Sequence, residues 1–221
     1  MNESWLLLGA PGVGKSTFSF KLKNSCECVK RFSVRLHTEK IFEKNNALAR
    51  YLIDNQIVQP KKHMPDFVVE QIFEDYLQSV GESDFLLIEG FPINDIQFQG
   101  MMRQLKKHNR RIEGVLILED SYDAILERII NRRVCMACEK SEGGGIPILA
   151  GIDRCPFCGG TLVKRPEDDI DFFKVRYEMY LEEKKRICDW FNQKIIHEVV
   201  VNADEIDKLC EEWKKRIESN N

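Results

Sequence analysis

The sequence predicts an α/β protein: a parallel sheet flanked by helices on both faces, three layers deep. Three observations carry that prediction. Short, almost wholly apolar runs recur along the chain, helical patterns separate them, and the first run, "WLLL", empties into a glycine-rich loop and then a helix. Strands that lack polar alternation are buried on both faces, and parallel pairing requires a crossover between consecutive strands.

The first unit is "WLLLGAPGVGKST". Gly9, Gly14, Lys15 and Ser16 satisfy G-x-x-x-x-G-K-[ST] in full, after a strand and before the helix "STFSFKLK". Glycines let successive backbone N–H groups turn toward phosphate oxygens, and the first turn of the helix offers its own free N–H groups to the same anion. The loop residues Gly9, Pro11, Gly12, Val13, Gly14, Lys15, Ser16 and Thr17 are thereby assigned to nucleotide phosphates. Lys15 reaches the β- and γ-phosphates, and the Ser16 hydroxyl suits a magnesium ion.

"CVKRFS" is the second and weakest strand. A long helical region follows, with apolar positions Leu48, Leu52 and Ile53, then Val68, Val69, Ile72, Phe73 and Leu77, interrupted by "QPKKHMP". That is more than a crossover needs, so a small helical subdomain is expected on the C-terminal side of the strands, where ligands bind in this architecture. "DFLLIEG" is a strong strand ending in Glu89, an acid placed to hold magnesium or its waters beside the phosphate loop. "RIEGVLIL" and "KIIHEVVV" supply two more strands, and "ADEIDKLCEEWKKRI" closes the chain as a helix.

Between the fourth and last of these strands lies a second module. Cys135, Cys138, Cys155 and Cys158 form C-x2-C-x16-C-x2-C, two tight turns whose thiolates complete a tetrahedral shell for one structural zinc ion. The intervening "GGGIPILAGIDR" has few residues for a core of its own, which makes the metal a staple with no open position for chemistry. Cys26, Cys28, Cys188 and Cys210 read as buried small residues. Arg128 and Arg132, four apart in "AILERIINRR", share a helix face; with Arg165 and Arg176 they bracket the cysteine module, poised to close over phosphates, and Asp168 is placed to latch the module or orient an arginine.

Composition narrows the function classes. A chain of 221 residues suits one domain with inserted modules, or at most two domains. With 33 basic and 36 acidic residues the formal net charge is −3, which disfavours a free-standing nucleic-acid binder or an anionic-membrane binder. The start "MNESWLLLGAPG" has no basic leader and no run approaches bilayer length, so a soluble, cytoplasmic protein is expected, with no membrane or nucleic-acid partner.

Taken together, "LLLGAPGVGKST", "LLIEGFP", "ERIINRRVCMAC", "RCPFCGGTLVKRPEDD" and "KVRYEMY" resemble, in order and over nearly the whole chain, the adenylate kinase family of nucleoside monophosphate kinases. The resemblance implies a P-loop NTPase fold over residues 1–221, a helical monophosphate-binding insertion at 34–80 and a zinc-stapled lid at 133–166. It implies a monomer that transfers a phosphoryl group in line from Mg-ATP to a nucleoside monophosphate, AMP favoured, without a covalent intermediate. By the same carry-over, Lys15 stabilises the transferring group, Arg128 and Arg132 serve the triphosphate, Arg165 and Arg176 surround the phosphates in the closed state, and "VNADEID" lies near the adenine.

The acceptor half departs from the family pattern. Where relatives carry S-T-G-D-x-L-R, this chain reads "FSVRLHTEK", keeping Ser33 without the terminal arginine; where they carry G-F-P-R, it has Gly90, Phe91, Pro92 and Ile93. An isoleucine cannot fork to a phosphate. Gln97 and Val58 sit where relatives contact the acceptor base, and Arg35, Lys61, Lys62 and His63 are candidates for replacement charge. Three functions compete on these residues: a kinase acting on AMP, a kinase with an altered acceptor, and an ATP-binding regulatory or assembly protein.

Overall fold

The computed structural model describes residues 3–34, 36–38, 47–54, 64–135, 137, 154–156, 158–164, 168–202 and 205–219. Five strands form one parallel sheet: β1 (Glu3–Gly9), β2 (Val29–Ser33), β3 (Phe85–Glu89), β4 (Arg111–Glu119) and a last strand (Ile196–Val200), in the spatial order β2, β3, β1, β4, last strand. Between β4 and the last strand, β5 (Val134–Cys135) and β6 (Leu162–Val163) pair as a separate antiparallel hairpin, which makes the last sheet strand β7. The helices are α1 (Lys15–Ser25), α2 (Ala47–Asp54), α3 (Asp66–Leu77), α4 (Asp95–Lys107), α5 (Tyr122–Asn131), α6 (Ile170–Trp190) and α7 (Glu205–Ser219).

Burial follows the apolar runs. Trp5 to Leu8 of β1, all of β3 and Val115 to Leu118 of β4 are buried, as strands covered on both faces must be. β7 departs from that expectation: His197, Glu198 and Val200 are exposed, because an edge strand pairs on one side only and its outer half meets solvent. Trp5 dictates a detail of the register. Its indole occupies the space above Gly114, where a Cβ would meet the ring at 2.1 Å, and β1 slips by one residue against β4 at that point. The ring then packs edge-on to Trp213 of α7 at 4.7 Å, with the Arg216 guanidinium over it at 4.4 Å.

Strand alternation sorts the faces. Leu87 pairs with Trp5 and with Arg31, and Glu89 with Leu7 and Ser33, so Arg31, Glu89 and Phe85 share the face covered by α1 and α7. Phe32 points the other way, against Phe73 of α3 and Phe91. The helical region after β2 thus contributes α3 to the main core through Val68, Val69, Ile72, Phe73 and Leu77. No helix among the described residues is long and apolar enough to cross a membrane.

Candidate active site

β1 ends at Gly9, and the chain turns through Pro11 and Gly12 into α1, whose N-cap is Gly14. Gly12 (φ 90°) and Gly14 (φ 117°) adopt left-handed conformations that side-chain-bearing residues rarely take. The space is closed as well, since a Cβ on Gly14 would lie 2.5 Å from Ile206 of α7. Val13 is buried and its amide donates to the Ala10 carbonyl at 3.2 Å, which holds the loop curled. Gly14 has no side chain to cap α1, which leaves the first turn, with Ser16 and Thr17, uncapped by a side chain at the positive end of the helix dipole, an arrangement that can bind an anion.

Lys15 lies back along the loop, its Nζ donating to the Gly9 carbonyl at 2.6 Å and the Ala10 carbonyl at 3.0 Å. Burial pulls its pKa below the usual lysine value; Glu89 and Glu183 oppose that, while Arg176 and Arg132 add to it.

Glu89, at the C-terminal tip of β3, is the hub beneath the loop. Its Oε1 accepts from Ser16 Oγ at 3.2 Å; its Oε2 accepts from Ser19 Oγ at 3.3 Å and from Arg31 Nε and Nη2 at 3.0 and 2.7 Å. Ser16 and Ser19 are one helical turn apart and so share a face of α1. Burial would raise the Glu89 carboxyl, but the Arg31 and Lys15 charges and the hydrogen bonds outweigh it and hold the group below the ordinary value of 4.5. A carboxylate with a depressed folded pKa adds stability that is complete above the unfolded value and is lost as the pH falls through the folded one. Unfolding free energy is therefore expected to fall with acidification below about pH 4.5, with a shallower slope for Glu89→Gln; equal slopes in denaturant titrations across that range would count against this account.

The arginines after β4 are held by carboxylates. Arg128 of α5 pairs with Asp120 and donates to the Val13 carbonyl at 3.4 Å, which joins α5 to the phosphate loop. Arg132 does not continue the helix face of Arg128, as the sequence pattern had it. α5 ends at Asn131, and Arg132 takes an extended conformation (φ −66°, ψ 139°) because the chain there turns into β5. Its guanidinium forks onto Asp168, with Nε donating to Oδ2 at 2.8 Å and Nη2 to Oδ1. Asp168 is wholly buried and so serves to orient the arginine. Cutting one partner strands the other charge, and Asp168→Ala is expected to cost about 3–5 kcal/mol, measurable by chemical denaturation; a loss under about 1 kcal/mol would mean that the pair behaves as a surface bridge. Arg176 stands exposed on α6. Arg165 and Val58 lie outside the described residues, as do Arg35, Lys61, Lys62 and His63.

In the hairpin module the Sγ atoms of Cys135, Cys155 and Cys158 all lie within 4.8 Å of one another, with Cys135 and Cys158 at 3.4 Å. A tetrahedral zinc shell with Zn–S of about 2.3 Å has sulfur edges of about 3.8 Å, so this donor set fits the metal. The turn is built for it: Gly159 N donates to Cys155 O at 2.8 Å, Cys155 N to Gly160 O at 2.9 Å, and a Cβ on Gly160 would lie 3.0 Å from the Cys135 sulfur. Cys138 lies outside the described residues.

On the acceptor side, Gln97 is buried and engaged. Its Nε2 donates to Asp66 Oδ1 at 2.8 Å and its Oε1 accepts from Ile93 N at 3.1 Å, while Asn94, the N-cap of α4, also donates to Asp66 at 2.9 Å. Four residues of this region escaped the sequence reading: Arg31, Ser19, Glu183 and Arg186. Arg31 and Ser19 carry a signal in hindsight, through strand alternation with Glu89 and helical spacing from Ser16. Glu183 and Arg186 sit in "LEEKKRIC", a charged stretch of α6 indistinguishable from a solvated face.

No protein-family model matches the chain. Among characterised proteins it is similar to the adenylate kinase of Mycoplasma capricolum subsp. capricolum, 30% identical over 203 residues that cover 91% of this chain and 92% of that one. The adenylate kinase of Caldanaerobacter subterraneus subsp. tengcongensis is 28% identical over 223 residues, covering 96% of this chain and 95% of the relative, and that of Clostridium botulinum (strain Eklund 17B) is 27% identical over 221 residues, covering 94% and 95%. These likenesses cover most of each chain, and the chain belongs to the adenylate kinase family.

Proposed function

We propose that this protein is an ATP-dependent nucleoside monophosphate kinase catalysing ATP + AMP = 2 ADP, with Mg2+ accompanying ATP and one structural Zn2+ per chain. The observation that carries the reading is the arrangement at the tip of β1: an uncapped helix start, Lys15 against the loop carbonyls, and Ser16 beside Glu89, in a chain similar to adenylate kinases along its length.

Phosphoryl transfer asks the protein mainly to position reactants and stabilise charge. The loop amides from Gly9 to Thr17 cradle the β- and γ-phosphates, and Lys15 swings from the Gly9 and Ala10 carbonyls onto the oxygens that share the developing charge. Ser16 and Glu89 offer oxygen donors for Mg2+, which neutralises phosphate charge when bound. Arg31 balances Glu89 and keeps it ionised. Arg128, Arg132, Arg165 and Arg176 surround the triphosphate as residues 133–166 close as a lid, and closure excludes water. The small cluster of Cys135, Cys155 and Leu162, apart from the main core, supports a lid that moves as a unit. Residues 34–80 form the acceptor-binding insertion, and the protein acts as a cytoplasmic monomer.

A second reading, an acceptor other than AMP, is favoured by one observation: the Gln97 amide is committed to Asp66 and Ile93, so reading an adenine edge requires those bonds to exchange. The test is phosphotransfer from Mg-ATP, zinc replete, to AMP, CMP, UMP, GMP and dTMP with products separated directly. ADP formation from AMP alone is the expected result. Turnover of another monophosphate would select the second reading, and no acceptor-dependent turnover would overturn both.

A further inference from the structure

We propose that Arg186 of α6 supplies the acceptor-phosphate cation that the loop after β3 lacks at Ile93. The inference rests on the monophosphate-kinase reading above.

α6 is anchored at both sides of this residue. Tyr180 and Lys184 donate to Glu119 Oε1 at the end of β4, at 2.6 and 2.8 Å. Trp190 donates to Asp95 Oδ1 at 2.7 Å and stacks on Phe98 with ring centroids 4.5 Å apart, which pins the helix to the start of α4. Between these anchors Arg186 places Nη1 2.6 Å from the Ile93 carbonyl. A guanidinium on α6 therefore occupies the loop where the chain carries isoleucine.

The cation is available to a ligand. Its other contact, Nη2 to Glu182 at 3.1 Å, is to a carboxylate 71% exposed, a pairing that water competes with and a phosphate can displace. Three of the five N–H groups are left for oxygen acceptors after those two bonds. Glu183, one turn earlier on the helix, feels the charge of Arg186 as well: burial raises its carboxyl, the charges of Lys15 and Arg186 oppose that rise, and the group lies at about 7. The fork of an arginine binds two phosphate oxygens at once; an ammonium supplies charge without that geometry.

The test compares wild type with Arg186→Met and Arg186→Lys. Loss of a charge-assisted contact is expected to raise KM for AMP by about tenfold or more in Arg186→Met, to leave KM for ATP within about twofold, and to be partly rescued in Arg186→Lys. An unchanged KM for AMP would overturn the proposal, as would a parallel rise in both KM values with a fall in melting temperature, which marks a purely structural tie between α6 and the Ile93 loop. Titration calorimetry with AMP separates this from the kinase reading. If wild type transfers to no monophosphate yet binds AMP, and Arg186→Met does not, the assignment of Arg186 stands while the kinase reading falls. Equal AMP binding by both proteins, or none by either, overturns it.

Discussion

Replacing Lys15 by methionine is expected to lower kcat by about 10²–10³-fold, the cost of removing one preorganised charge from a transition state. The stability of the fold is expected to hold or to rise slightly. In the resting protein the half-buried Lys15 ammonium donates, among the described residues, to the Gly9 and Ala10 carbonyls, and burial is the main cause of its lowered pKa. Methionine keeps the length of the chain and removes the desolvated charge. Activity and stability therefore separate: product formation measured by direct separation falls, and the thermal midpoint does not. A variant within about tenfold of wild-type kcat would show that the loop amides and arginines suffice, and would remove Lys15 from the chemistry.

The second large effect is expected from the cysteine hairpin. About one zinc ion per chain should be found by metal analysis, and its removal by a chelator, or Cys135→Ser, is expected to abolish at least about tenfold of the activity by unfolding the cover that excludes water. The sheet should survive. Cys135, Cys155 and Leu162 form their own small cluster, whereas the core from Trp5 to Ile217 is continuous without them. Two observables then move independently: activity falls with zinc content, while near-ultraviolet signals from Trp5 and Trp213 stay native. Retention of full activity in a zinc-free protein would refute the metal's role as a staple, and collapse of the whole fold would show that the hairpin is part of the main cooperative unit.

How far the sequence reached can be judged from single elements. β1, β3 and β4 were legible because strands buried on both faces need unbroken apolar runs, and the phosphate loop because its glycines and lysine fall in one contiguous stretch. The cysteine pairs were legible for the same reason: their spacing is local. Arg132 was misread as a helix-face partner of Arg128, since helical periodicity holds only until the chain turns, and the turn is imposed by pairing of β5 with a strand nearly thirty residues later. The resting partners of the Gln97 amide were not legible in the sequence, because Asp66 comes from another helix and Ile93 N from across the turn.

The sequence by itself determined the fold class, the glycine loop at the end of β1 and the pairing of the cysteines into a cluster that fits a metal, all written in short-range patterns of glycine, apolar residues and cysteine. Only the tertiary structure decided how charge is distributed around that loop. Arg31 against Glu89 spans 58 positions, Arg132 against Asp168 spans 36, and Arg186 against Ile93 spans 93. A buried charge is tolerated only with a partner. Which partner it finds depends on which strand ends and helix faces the sheet order brings together, and no local pattern encodes that.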